Sequence, residues 1–88
     1  MDIENSNVMD MDYRKHYGRF VTLTDGFNSV NKGQVVKIVG KDKYNFYYND
    51  NNGCFRAVPQ NDKELFYVEP RKHINWDLVT QKIKELEY

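Results

Sequence analysis

The turn signals decide what this chain can become. Asp50-Asn51-Asn52-Gly53 is the strongest of them, because Asn-Gly supplies the positive φ angles that a tight hairpin needs. Further breaks recur at Asp25-Gly26, Lys32-Gly33, Gly40-Lys41-Asp42-Lys43 and Glu69-Pro70. The segments between them are short and rich in β-formers. Residues 14–70 therefore read as five strands: 19–24, 34–39, 44–49, 54–58 and 65–68. Alternation puts Val21 and Leu23 on one face of the first strand. It sets Val36 and Ile38 opposite Lys37 in the second. In the third, Tyr44, Phe46 and Tyr48 share a face, and Asn45 and Tyr47 share the other. In the fourth, Phe55 and Ala57 alternate with Arg56, and Pro59 ends the run. Gly40–Lys43 reads as a turn. Short strands with turns every 8–12 residues, roughly, predict a small barrel or sandwich. The stretch is too short for a two-sheet immunoglobulin-type sandwich. A five-stranded barrel fits the length and hides its own edges.

The two ends differ from the middle. Residues 1–13 carry Asp2, Glu4, Asp10 and Asp12 and no base. They bury too little apolar area to offset the entropy of ordering, and a flexible acidic segment is expected. Residues 71–88 read as a basic linker and a helix. Asn75 suits the N-cap, Asp77 complements the dipole in the first turn, and Ile74 with Val79 forms a hydrophobic staple. Trp76, Val79, Ile83 and Leu86 fall within an arc of about 80°. So short a helix is marginal alone in water, so it is expected to dock on its own barrel.

Composition closes off other classes. With 88 residues there is one domain at most. Thirteen bases balance thirteen acids. No apolar run approaches the length of a membrane span, and the acidic start lacks the apolar stretch of a secretory signal. A single cysteine makes no internal disulfide, so a soluble cytoplasmic protein with no membrane contact is expected. Abundant Asn and Tyr with little Ala point to an AT-rich coding sequence, as in low-GC bacteria and phages.

Arg19–Asp25, the Lys-Gly start of Lys32–Val39, the aromatic Tyr44–Asn49, the Asn-Gly hairpin before Val58 and the closing Leu65–Pro70 together resemble an SH3-like small barrel. The style is similar to small SH3-like proteins of phages and low-GC bacteria. The resemblance implies a mainly-β, five-stranded SH3-like barrel with a C-terminal α-helix, and binding rather than catalysis. The Pro-peptide pocket residues of eukaryotic SH3 domains are missing. Lys32-Gly33-Gln34-Val35-Val36-Lys37-Ile38 carries part of the KOW pattern.

Candidate chemistry follows from residue types. Cys54 with His16 or His73 would need an activated thiolate, but Cys54 follows a turn, where small residues are common. These three residues also lack metal-ligand spacing. No enzyme activity, metal or cofactor is expected. Thirteen aromatics exceed what so small a barrel buries, which leaves tyrosines for an interface. The expected protein-binding face is Phe27, Tyr44, Tyr47, Tyr48 and Arg56. The expected function is a protein–protein interaction module, a monomer or weak homodimer. The expected setting is a phage or mobile-element protein acting on a host factor such as a defence component. The alternative is a nucleic-acid-binding, KOW-like barrel using Arg14, Lys15, Arg19, Lys41, Lys43, Arg71 and Lys72. Residues 14–88 hold 13 bases and 9 acids, a net of +4, enough for a patch. The plain alternative to both is a set of solvated charges and helix-covered aromatics.

Overall fold

The computed structural model describes residues 9–12, 14–27 and 29–87. Six strands precede one helix: β1 (Arg19–Thr22), β2 (Val35–Lys37), β3 (Gly40–Lys41), β4 (Asn45–Asn49), β5 (Phe55–Pro59), β6 (Leu65–Val68) and α1 (Trp76–Leu86). They form two three-stranded antiparallel sheets, ordered β2-β1-β6 and β3-β4-β5.

The Asp50–Gly53 turn works through a carboxylate as well as through glycine. Gly53 has φ +82°, as the Asn-Gly signal requires. Asp50 is buried, and its Oδ1 accepts the Asn52 and Cys54 N–H groups at 2.8 and 2.9 Å. This pins the β4–β5 register, with Tyr48 opposite Arg56 and Phe46 opposite Val58.

Gly40 and Lys41, expected in a turn, form a strand instead. Gly40 pairs with Tyr47 and Lys41 with Phe46. The turn is tighter and later, because the Asp42 carboxylate accepts the N–H groups of Tyr44 and Asn45 at 2.8 and 2.7 Å. The count is therefore six strands rather than five. Between β2 and β3, Ile38 N–H donates to Gly18 O at 3.1 Å and Val39 N–H to Tyr47 O at 2.8 Å. The chain thus leaves one sheet and enters the other within two residues.

The sheets enclose one core. Phe20, Val36, Ile38, Phe46, Tyr48, Val58 and Leu65 are buried there together with Tyr17 and Val30. The inner alternation of Val36 with Ile38 and of Phe46 with Tyr48 is as expected. Tyr44 precedes β4 and is 59% exposed, so it does not share their face. Phe27, expected on the binding face, lies with Val30 in the loop after β1. Val30 is buried, and Phe27 packs half-buried with its ring 5.9 Å from that of Phe20.

A second cluster lies on the other side of β1. Val21 and Leu23 meet Val79 of α1, with Phe66, Ile74, Ile83 and Leu86 around them. The helix therefore packs on its own chain. Asn75 caps it, accepting the Leu78 N–H at 3.1 Å. Lys32 ties its far end through an ion pair with Glu87 at 2.5 Å. Trp76 departs from the expected stripe and is 48% exposed. Ile74, just outside the helix, fills the place beside Val79 instead.

The expected flexible acidic segment lies, at residues 1–8 and 13, outside the described residues. Its described part crosses β3. Asp10 N–H donates to Lys41 O at 2.6 Å and its carbonyl accepts the Lys41 N–H at 2.8 Å. Gly40 makes room: a Cβ there would lie 2.9 Å from Asp10 O and 3.1 Å from Met11 Cβ. Asp10 therefore blunts an open sheet edge.

Candidate functional site

The five residues expected to form a protein-binding face do not share one surface. Tyr48 is 3% exposed and packs edge-on against Phe20, with ring centroids 5.2 Å apart. Burial pushes its phenol pKa up. Phe27 is committed to the core. Arg56 points to the inner side of β5, where its Nε donates to the buried Asp50 carboxylate at 2.5 Å. That hydrogen bond, more than the opposing effect of burial, holds the Asp50 carboxyl below its ordinary value. Tyr44 and Tyr47 remain accessible. The Lys43 ammonium sits 5.5 Å from the Tyr44 ring centroid. Tyr47 donates its hydroxyl to Asp42 at 2.5 Å.

Arg56 shares the inner side of β5 with buried Val58, where it meets the buried Asp50 carboxylate, and Phe55 lies on the outer side. Phe55 is 50% exposed and stacks parallel on Tyr47, with centroids 5.5 Å apart and an interplanar angle of 4°.

The basic residues behave differently. The β1–β6 register pairs Arg19 with Val68, so the stretch before β1 runs beside the stretch after β6. Arg14, Lys15 and His16 thereby meet Arg71 around one hollow that also reaches Lys41 and Asp10. A second hollow adds Arg19, Val35 and Lys37 to Arg14, Lys15 and His16. A third, of about 340 Å³, lies between Met11, Ile38, Val39, Asn49 and Phe55, again with Lys15 and Lys37. Lys15 lines all three, so the hollows adjoin around its side chain as one grooved patch.

Five of the seven expected nucleic-acid residues, Arg14, Lys15, Arg19, Lys41 and Arg71, line this groove. Lys43 does not; it borders a separate hollow with Tyr44 and Gln60. Lys72 lies beside Phe66 and His73, away from the groove, and its carbonyl accepts from the Arg19 guanidinium at 2.5 Å. Sequence reasoning missed Lys37, which its strand position left unassigned, together with Met11 and Phe55.

The groove holds its own carboxylates loosely. Asp12 pairs with Arg14 at 3.1 Å and Asp10 with Lys15 at 3.2 Å, both at exposed positions. The Arg14 hydrogen bond lowers the Asp12 pKa, and the Asp10 hydrogen bond raises that of Lys15. Such exposed pairs are weak and are screened by salt. Lys37, Lys41 and Arg71 have no carboxylate within ion-pair distance among the described residues. Arg19 donates to the Glu69 and Lys72 carbonyls, which fixes its side chain at the groove wall.

Cys54 is exposed at the hairpin, and His16 Nδ1 accepts the Gly18 N–H at 3.1 Å. No group of three or more potential metal ligands occurs among the described residues, and no helix there is long and apolar enough to cross a membrane. Comparison with protein-family models, curated proteins and solved structures finds no match to this chain.

Proposed function

We propose that this chain is a nucleic-acid-binding module built on an SH3-like barrel. One observation carries the reading: Arg14, Lys15, Arg19, Lys37, Lys41 and Arg71 line three adjoining hollows that share Lys15. A net charge of zero does not oppose it, because phosphates respond to the local array of cations. Among the described residues, Asp10 is the one acid lining these hollows, and Asp10 and Asp12 sit in exposed ion pairs. The barrel reading is supported by the run from Val35 to Lys41, which passes between sheets like one bent strand, and by the single core that both sheets enclose.

The test is fluorescence anisotropy with a labelled oligonucleotide across a salt series. Binding is expected to weaken as salt rises, with a log–log slope of about −0.7 per phosphate contacted on a single strand. Lys37→Ala and Arg71→Ala should each reduce the slope by about one contact. Binding that ignores salt, or no binding at low salt, would refute the reading. A salt-insensitive protein complex that needs Tyr44 or Tyr47 would return the function to protein interaction.

A further inference from the structure

The groove has one end unlike the rest. Around Lys15 and Lys37 the wall changes from charged to apolar, and the floor is Ile38, Val39, Met11 and Phe55. Phosphate alone gains nothing from such a surface. Tyr47 covers one face of the Phe55 ring, and half of Phe55 stays exposed at the hollow. The Asn49 amide borders the same space with both a donor and an acceptor.

We propose that this end is a base-stacking subsite, and that the ligand is a single-stranded nucleic acid with one unstacked base against Phe55. The inference rests on the nucleic-acid reading and narrows it. A planar ring satisfies the apolar floor, its edge reaches Asn49, and the phosphates on either side meet Lys15 and Lys37. A hollow of about 340 Å³ is large enough to receive one base ring system. Duplex bases are already stacked and shielded, whereas bases of a single strand splay out onto aromatic side chains. Beyond Lys15, the cations Arg14, Arg19, Lys41 and Arg71 line two further hollows, more positive groups than the phosphate of one mononucleotide can engage, which favours a polymer.

The full chain would be titrated into three fluorescein-labelled DNAs of about a dozen nucleotides: a single strand, its duplex, and the single strand carrying abasic sites. The intact single strand should bind at least about tenfold more tightly than the other two. Phe55→Ala should weaken it by about 5- to 150-fold, the range for loss of one stacked base, and Phe55→Trp should retain it. Thermal melts of both variants check that they fold. Equal affinity for all three DNAs, with Lys37→Ala weakening each, would leave a phosphate groove and overturn the stacking subsite. Failure of all three to bind would overturn both readings. The abasic comparison uses the unaltered protein, so it decides the matter even if Phe55→Ala unfolds.

Discussion

The two sheets share an inner core, but their outer faces have opposite fates. The outer face of β2-β1-β6 carries Val21, Leu23 and Phe66, and α1 roofs it with Val79, Ile83 and Leu86. The outer face of β3-β4-β5 carries Tyr47, Phe55 and Ala57, and among the described residues the segment around Asp10 pairs along its β3 edge. Both faces hold apolar groups. One is mostly aliphatic and covered by the helix. The other is aromatic, half-exposed and bordered by cations. Aliphatic area contributes stability mainly when it leaves water, so it has drawn a helix over itself. An aromatic pair offers flat surface to a ligand while its own stack persists. The contrast separates a face that holds the fold from a face that is free to bind.

The sharpest test makes the same truncation once in the shared core and once on the open face. Phe20→Ala empties the shared core at a fully buried site, and should destabilise the protein by about 3–5 kcal/mol in chemical denaturation. Phe55→Ala should cost only about 1 kcal/mol, the contribution of an exposed stacked pair. If the two costs were alike, Phe55 would be structural and the contrast between the faces would fail.

Much of this fold was legible in the sequence, because it rests on local chemistry. The hairpin at Asn52-Gly53, the inward pairs Val36/Ile38 and Phe46/Tyr48, and the cap at Asn75 each follow from residues a few positions apart. What escaped is non-local. Arg56 sits on the inner side of β5 because the buried Asp50 carboxylate, which alternation does not reveal, receives its charge there. Asp10 pairs with Lys41 through backbone groups, which leave no mark on side-chain pattern. Gly40 looks like a turn residue, yet its missing side chain serves a crossing segment. The basic clusters were visible separately. Their union depends on the Arg19–Val68 register, which only the folded sheet supplies.

The helix roof offers a smaller, graded test. Val79→Ala removes two methyl groups from a fully buried contact with Val21 and Leu23, and about 2 kcal/mol should be lost. Oligonucleotide affinity measured well below the melting temperature should stay within twofold, roughly, because a neutral change remote from the groove alters no contact to phosphate or base. Asn75→Ala removes the N-cap bond to Leu78 and should cost about 1 kcal/mol, again without changing affinity. A large loss of binding in either variant would show that roof and groove are coupled.

The smallest effect belongs to the open face itself. Tyr47 donates to Asp42, and this bond is the largest cause both of the lowered Asp42 carboxyl and of the raised Tyr47 phenol. A carboxylate whose pKa is depressed by folding contributes stability that is complete above its ordinary 3.8 and lost as pH falls through the folded value. A phenol whose pKa is raised contributes stability that is complete below its ordinary 10.0 and lost as pH rises through the folded value. The bond is therefore at full strength across the neutral range and weakens at both extremes. Asp42→Asn should move the Tyr47 titration back toward 10.0, followed by NMR of ring-labelled tyrosines, while Tyr48 keeps its burial-raised value. Since Tyr47 backs the Phe55 ring, single-strand affinity should fall only slightly in this variant. A Tyr47 titration unmoved by Asp42→Asn would mean that the stack, rather than the carboxylate, holds the tyrosine in place.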